Sequence, residues 1–148
     1  MLTNDLHVRR GTASDAAEVA RLMNQLGYPL DERTASERLG RLSSDDSRAI
    51  FLACAGTDVL GCLESRIAET IESGSLAEIV GLIVDRNARR RGVGTALINE
   101  VSDWAAKQGQ ARVRVRTNVV RADATAFYAG RRFRPVKQQQ VLDLSLTR

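Results

Sequence analysis

Apolar residues recur at the spacing of an α-helix in two long stretches of the chain. The first stripe follows a group of possible capping residues, 12–15, and consists of Ala16, Val19, Ala20, Met23 and Leu26. The second stripe consists of Val93, Leu97, Val101, Trp104 and Ala105. Because residues three and four positions apart lie on one face of a helix, each stripe predicts an amphipathic helix. Weaker patterns predict a helix over 31–42 and a short helix over 123–130.

Apolar or alternating runs predict seven strands, at 7–10, 49–55, 59–67, 77–84, 112–116, 133–136 and 141–146. The run 77–84 is the most apolar, as expected for a strand buried on both faces in the middle of a sheet. Gly81 within it is a candidate β-bulge, and Gly74 and Ser75 close a polar crossover before it. Residues 112–116 alternate, which predicts one apolar face and one arginine face.

The resulting order, β-α-α-β-β-β-α-β-α-β-β, predicts an α/β or α+β fold with a mixed central sheet flanked by helices. A length of 148 residues with 43% hydrophobic content fits one domain over residues 1–148. Aromatic residues make up only 4%, so an aliphatic core is expected.

Several classes of protein and site are not expected from this sequence. No run approaches the roughly 18 apolar residues that a membrane-spanning helix needs. The N-terminus has neither the basic nor the apolar region of a secretory signal, so we expect a cytoplasmic location. Cys54 and Cys62 lie in apolar runs without the spacing of a zinc site, which favours buried free thiols and no metal.

Charge is distributed unevenly along the chain. Residues 1–80 hold eight basic and 13 acidic residues, for a net −5, whereas residues 81–148 hold 14 and five, for a net +9. An anionic ligand is therefore expected on the C-terminal half, either a phosphorylated cofactor or nucleic acid. Charge alone favours a third interpretation over both of these, a solvated basic face that binds no ligand.

One segment favours the phosphorylated cofactor. The turn 85–88 follows the apolar strand, and the sequence Arg-Arg-Arg-Gly-Val-Gly-Thr at 89–95 opens the long helix. The first turn of a helix leaves unpaired N–H groups and the positive end of the dipole, so it attracts anions. Glycines at 92 and 94 let a phosphate approach the backbone. The dinucleotide fingerprint fails because position 97 is leucine, and the Walker pattern fails for want of Gly-Lys-Ser/Thr.

The remaining pattern, R-x-x-G-x-G between a strand and a helix, resembles that of the GCN5-related N-acetyltransferase (GNAT) family. The order of elements over nearly the whole chain is also that family's order. Two further motifs are similar to family motifs: Ala77-Glu78-Ile79-Val80 before the turn, and Ala124-Thr125-Ala126-Phe127-Tyr128 near the last helix. The resemblance implies a GNAT fold, acetyl-coenzyme A as co-substrate, and transfer of an acetyl group to a primary amine.

The resemblance also implies roles for individual residues. The diphosphate of coenzyme A is expected on Arg89, Arg90, Arg91, Gly92, Val93, Gly94 and Thr95, and its pantetheine arm along Leu82, Ile83 and Val84. Glu78 is the expected general base, with a pKa raised by burial in an apolar strand. Tyr128 is the expected general acid that protonates the leaving sulfur. Tyr28 and Pro29 are possible neighbours of the acceptor.

Two positions depart from the family pattern. The family commonly has asparagine three residues before the alanine of its A-x-x-F-Y motif, whereas this chain has Arg121, and Asn118 is a candidate replacement for that coenzyme A contact. The family also has Gly-Phe after the helix, where this chain has Arg132-Phe133, so a different backbone is possible there.

Structural explanations compete with several of these roles. Glu78 could instead pair with Arg114 or Arg116 on the adjoining strand, and Tyr128 could simply pack beside Phe127. At least one of the arginines at 89–91 is expected to be only a solvated charge, and His7 is expected to be structural.

Two other functions compete with catalysis as a whole. The basic half favours a nucleic-acid binder, although no interleaved aromatic residues or helix-turn-helix pattern supports one. A module that senses coenzyme A without catalysis is the other. For an enzyme, the partner is a small-molecule or peptide amine, and the acidic N-terminal half favours a cationic one. A homodimer is possible by analogy with the family.

Overall fold

A computed structural model describes residues 5–117 and 122–147. The chain divides into two compact units, Met1–Arg116 and Thr117–Arg148. The first unit contains the sheet and three helices, in the order β1 (Leu6–Arg10), α1 (Ala16–Gln25), α2 (Glu32–Ser43), β2 (Arg48–Ala55), β3 (Asp58–Thr70), β4 (Gly74–Val84), α3 (Val93–Lys107) and β5 (Val113–Val115). The second contains α4 (Ala122–Ala129).

The five strands form one sheet in the order β1-β2-β3-β4-β5. The first four are antiparallel neighbours, and β5 runs parallel to β4, which confirms the predicted mixed sheet. One face carries the core cluster that α1 and α2 form with the sheet, including Ile50, Leu52, Cys62 and Ile83. The apolar stripe of α3 is buried as well, from Val93 to Ala105.

The connection between β3 and β4 differs from the sequence prediction. Strand β3 continues to Thr70, beyond the predicted end at Ile67, and Gly74 and Ser75 begin β4. The connection is a hairpin rather than the expected crossover, because β3 and β4 pair antiparallel, beginning with Thr70 opposite Gly74. The predicted burial of β4 on both faces is wrong at Val80, which is 48% exposed, and at Gly81, whereas Ile83 is buried.

The two cysteines are free and buried, as predicted. Burial raises the pKa of the Cys62 thiol to about 12. Within residues 5–117 and 122–147, no cluster of His, Cys, Asp and Glu could hold a metal ion. Over the same ranges, no helix is both long and apolar enough to cross a membrane.

Helix α4 of the second unit confirms the short helix predicted over 123–130. The described residues after it, 131–147, contain no strand, so neither of the last two predicted strands forms. Their apolar side chains are strongly exposed: Val136, Val141, Leu142, Leu144 and Leu146. Alternation alone does not make a strand, because each strand needs a neighbour for its backbone groups.

Candidate active site

Strand β4 loses its β5 neighbour halfway along its length. It pairs with β3 as far as Val84, whereas β5 pairs only with Ala77, Glu78 and Ile79. At the point of separation the register with β3 shifts, since Glu64 lies opposite Gly81 and Ser65 lies opposite Ile79. Val80 is therefore the extra residue of a β-bulge, immediately before the glycine that the sequence indicated.

This separation leaves one edge of β4 without a strand. The Asp85 N–H donates to the Leu60 carbonyl at 2.8 Å, on the β3 side. Backbone N–H and C=O groups alternate in direction along a strand. Those of Ile83 therefore point toward β3, like those of Asp85, and those of Leu82 and Val84 point to the opposite side. On that side the described residues supply no paired strand beyond Ile79, so the backbone groups of these two residues face an edge without a neighbouring strand.

The turn after β4 is held by Asp85. Its carboxylate accepts hydrogen bonds from Arg21 Nη1 at 2.7 Å, Gln25 Nε2 at 3.3 Å and the Asn87 N–H at 3.0 Å. The bond from Asn87 and that from Arg21 hold the pKa of Asp85 below its ordinary value. Gln25 Oε1 also accepts from the Arg86 N–H at 3.2 Å. The start of the turn is thus attached to α1 by side chains that the sequence analysis did not single out.

The turn leads into α3 through two left-handed residues. Arg90 has φ = 65° and Gly92, the N-cap of α3, has φ = 79°. Gly92 has no side chain that could accept a hydrogen bond from the first N–H groups of the helix, and we call this first turn uncapped in that sense. The sequence placed the start of the helix at Gly92, and its first helical residue is Val93.

Gly61 on β3 seats the first turn of α3 against the sheet. A Cβ at this position would lie 2.8 Å from Val93 Cγ1 and 3.0 Å from the Ile83 carbonyl oxygen. Only glycine therefore allows this close approach, which fixes the uncapped turn beside the open edge of β4.

The three arginines of the turn are exposed, as a ligand-binding or a solvated role would both allow. Arg91 lines a pocket of about 330 Å³ together with Leu6, Ala55, Leu60 and Val93. Gly94 is buried and Thr95 is half-buried in the first turn of α3. Asn118 lies outside the described residues, as does Arg121.

Glu78 is only 4% exposed and lies in an ion-pair network. Its Oε1 accepts from Arg66 at 2.8 Å, and its Oε2 accepts from Arg116 at 2.9 Å. Burial raises the pKa of Glu78, but the hydrogen bonds from Arg116 and Arg66 outweigh burial and hold it below the ordinary value. The expected raised pKa is therefore wrong, and the pairing with Arg116 is present. Arg66 could have been anticipated once β3 and β4 were paired, because it lies directly opposite Glu78.

Tyr128 belongs to α4 in the second unit, where it packs between two phenylalanines. Its ring makes edge contacts with Phe127, at 5.1 Å between centroids, and with Phe133, at 5.3 Å. Arg132, at the position where the family has glycine, has φ = 72°. The backbone there adopts the left-handed conformation that glycine favours, although the residue is an arginine.

The remaining candidates occupy ordinary local structure. Tyr28 is exposed, and its N–H donates to the Met23 carbonyl at 3.2 Å in the turn after α1, which Pro29 follows. His7 is exposed on β1, with Nδ1 3.0 Å from the Asp5 carbonyl oxygen. Neither contact requires a role beyond the turn and the strand themselves.

The bulge at Val80, the open edge of β4 and the uncapped turn of α3 lie consecutively along the chain. The acetyltransferase (GNAT) family matches residues 16–133, and the chain belongs to that family.

Among similar proteins is the uncharacterized N-acetyltransferase YhdJ of Bacillus subtilis (strain 168). It is 27% identical over 124 residues, which cover 83% of this chain and 87% of that protein.

Two solved structures have the same fold. An aminoglycoside acetyltransferase, meta-AAC0020 from an uncultured soil metagenomic sample, solved with trehalose, is 27% identical, covers 97% of each chain and has a TM-score of 0.74. The aminoglycoside N-acetyltransferase AAC(6')-Iy, solved with CoA, is 17% identical, covers 94% of each chain and has a TM-score of 0.85.

Proposed function

We propose that this protein transfers the acetyl group of acetyl-coenzyme A to a primary amine by direct attack. The observation that carries the proposal is the uncapped first turn of α3, seated beside the open edge of β4. The first-turn amides, together with the helix dipole, suit a diphosphate. Leu82 and Val84 suit the amides of a pantetheine arm, and CoA bound to AAC(6')-Iy supports the choice of ligand. The family match spans both units, which supports one functional domain.

The reaction requires one bond to form and one to break. The amine nitrogen attacks the thioester carbonyl carbon, and the C–N bond forms as charge develops on the oxygen. The C–S bond then breaks, and the sulfur leaves with its electron pair and takes a proton. Glu78 is the proposed acceptor of the proton from nitrogen, and Tyr128 is the proposed donor to sulfur. The acceptor is an amine-bearing small molecule or peptide, and the expected location remains cytoplasmic.

Binding of the diphosphate is tested with two ligands. S-acetylpantetheine lacks the diphosphate and the nucleotide, so we expect it to bind about 100-fold more weakly than acetyl-coenzyme A. Isothermal titration calorimetry measures both affinities. Equal affinities would contradict the assignment of the α3 turn to the diphosphate.

A charge substitution at the turn tests the same site. Gly92 has a positive φ and open space around its Cα, and aspartate and asparagine both tolerate that conformation. Gly92→Asp should lose much more affinity for acetyl-coenzyme A than Gly92→Asn, because only the aspartate repels a diphosphate. Gly74→Asp is the matched control, since Gly74 also has a positive φ and open space but lies in the β3–β4 hairpin.

Catalysis is tested by thiol release from acetyl-coenzyme A with a panel of amines. Release that depends on an amine supports the enzyme, and binding of acetyl-coenzyme A without release would instead support a sensor. Salt-dependent binding of DNA, with neither thiol release nor binding of acetyl-coenzyme A, would favour the nucleic-acid binder.

We also propose that the chain forms a homodimer through the exposed apolar residues of the second unit. Leu142, Leu144 and Leu146 alternate along the chain and are 78–88% exposed. Exposed apolar side chains of this kind are stabilised in water when a partner covers them. Light scattering should give a dimer mass, and Leu144→Lys should weaken the dimer whereas Ile71→Lys, exposed in the β3–β4 turn, should not. A monomeric wild-type protein would contradict the proposal.

A further inference from the structure

Three arginines share one sheet face with the Glu78 carboxylate. Arg66 lies directly opposite Glu78 on β3, and Arg114 lies directly opposite it on β5. Arg116 is two residues beyond Arg114, so its side chain lies on the same face. We refer to Arg66, Arg114 and Arg116 as the arginine cluster. It lies on the face that α1 and α2 cover farther along the strands.

The cluster carries more positive charge than its carboxylate neutralises. The Glu78 carboxylate forms ion pairs with Arg66 and Arg116, whose side chains are nevertheless 44% and 55% exposed. Arg114 is half-buried, and its side chain has no hydrogen bond or ion pair within residues 5–117 and 122–147. The Glu64 carboxylate, on the same face of β3, is paired with Arg48 at 3.8 Å. Among the described residues, the guanidinium of Arg114 is therefore the member of the cluster whose positive charge no carboxylate neutralises.

The cluster lies close to the proposed position of the thioester. Pairing of β4 with β5 ends at Ile79, the residue after Glu78, and the bulge follows at Val80. A strand rises about 3.3 Å per residue, so Glu78 lies roughly 10–13 Å along β4 from Leu82. Arginine side chains are long and flexible and cover part of this distance, so an acceptor with its amine at the thioester can reach the cluster with a group several bonds away.

We propose that the acceptor carries an anionic oxygen group, a carboxylate or a phosphate, several bonds from its amine, and that the arginine cluster binds this group. The proposal rests on the proposed function and specifies its substrate class. Guanidiniums form charge-assisted hydrogen bonds with both kinds of anion. The acidic N-terminal half as a whole favours a cationic acceptor, but the arginine cluster, which lies just before the open edge of β4, has the opposite sign. This chemistry also differs from that of an aminoglycoside, which carries several amines and no carboxylate.

The test uses pairs of amines that differ only in the anionic group. These pairs are 6-aminohexanoate with pentylamine, lysine with cadaverine, and phosphoethanolamine with ethanolamine, and kanamycin serves as a polycationic acceptor. Thiol release from acetyl-coenzyme A gives kcat/KM for each. We expect the anionic member of at least one pair to be preferred about tenfold or more. The pair that shows the preference distinguishes carboxylate from phosphate.

Substitution of the unpaired arginine connects the preference to the cluster. Arg114→Ala leaves both ion pairs of Glu78 in place, so the fold is expected to persist, and it should lower the preference by raising KM for the anionic member. Arg33→Gln is the control, because the Arg33 side chain is 91% exposed on α2 and pairs only with Glu37 there. This variant should keep the wild-type preference.

Each outcome bears on the proposal. Thiol release that is equal within every pair, or greatest with cadaverine or kanamycin, would overturn the anionic acceptor and leave the proposed function standing. A preference that Arg114→Ala does not reduce would overturn the role of the cluster. No thiol release with any amine would overturn the proposed function and this inference together.

Discussion

The guanidinium of Arg21 donates from Nη1 to the Asp85 carboxylate at 2.7 Å, across 64 positions of sequence. The same arginine donates from Nη2 to the Val59 carbonyl at 2.9 Å. One side chain of α1 therefore holds both the end of β4 and the start of β3. Because the proposed diphosphate site begins one turn after Asp85, this pair links the packing of α1 to the shape of that site.

Replacement of Asp85 by asparagine should destabilise the protein and weaken acetyl-coenzyme A binding. The variant loses the ion pair, and since Arg21 is 38% exposed we expect a cost of only about 1 kcal/mol in the free energy of unfolding at neutral pH. The turn is also less firmly held, so the Kd for acetyl-coenzyme A should rise. Urea unfolding and calorimetry measure the two effects.

The difference in free energy of unfolding between wild type and Asp85→Asn should become smaller in acid. The folded-state pKa of Asp85 is lowered, so the contribution of its carboxylate is fully present above the unfolded pKa of about 3.9 and is lost as the pH falls through the folded pKa. The gap between wild type and Asp85→Asn should therefore narrow between pH 6 and pH 3. Asp103→Asn, at an exposed position on α3, is the control and should show no gap at either pH. A gap that widens in acid would contradict the ion pair as its source.

Replacement of Glu78 by glutamine should reduce turnover, and its pH profile should identify the titrating group. The lowered pKa keeps the Glu78 carboxylate ionised at neutral pH, so its own protonation should reduce kcat only below about pH 4.5. A fall in kcat/KM between pH 9 and pH 6 should instead follow protonation of the acceptor amine. Rates from pH 4 to pH 10 distinguish the two.

The Glu78 variant has two informative comparisons. Glu69→Gln, exposed on β3, should have the wild-type rate and profile. A Glu78→Gln enzyme with unchanged kcat would remove Glu78 from the proton transfer and leave it as a support for Arg66 and Arg116. A wild-type acid limb near neutrality that Glu78→Gln abolishes would contradict the lowered pKa.

Local sequence patterns correctly predicted the elements that bury an apolar stripe. They failed for properties that depend on contacts between residues far apart in the sequence. The helix over Val93–Lys107 and the arginine face of β5 both follow from the spacing of side chains within one segment. The pKa of Glu78 does not, because its sign depends on Arg66 and Arg116, which are brought in by strand pairing. Arg21 and Gly61 were missed for the same reason, since their contacts with Asp85 and Val93 join separate elements.

Replacement of Arg132 by glycine should stabilise the protein. Arg132 has φ = 72°, a conformation that costs a non-glycine residue about 1–2 kcal/mol, and glycine recovers that cost less its greater entropy in the unfolded chain. We expect a net gain of about 0.5–1 kcal/mol, visible as a higher Tm. Arg134→Gly is the matched control, because Arg134 is exposed nearby without a positive φ, and it should lower the Tm slightly. A lower Tm for Arg132→Gly would show that the arginine side chain contributes more than the strain costs.

Addition of a methyl group to Gly61 should displace the start of α3. The new Cβ would lie 2.8 Å from Val93 Cγ1 and 3.0 Å from the Ile83 carbonyl oxygen, and the backbone oxygen cannot rotate away. We expect Gly61→Ala to lower the free energy of unfolding by about 1–3 kcal/mol and to weaken acetyl-coenzyme A binding, because the uncapped turn moves with Val93. Gly40→Ala is the matched control: no atom lies within 4 Å of its Cβ, and alanine is favoured inside α2, so stability should rise by about 0.5–1 kcal/mol with unchanged binding. If Gly61→Ala lost stability but bound acetyl-coenzyme A as tightly as wild type, the diphosphate would not depend on the position of the α3 turn.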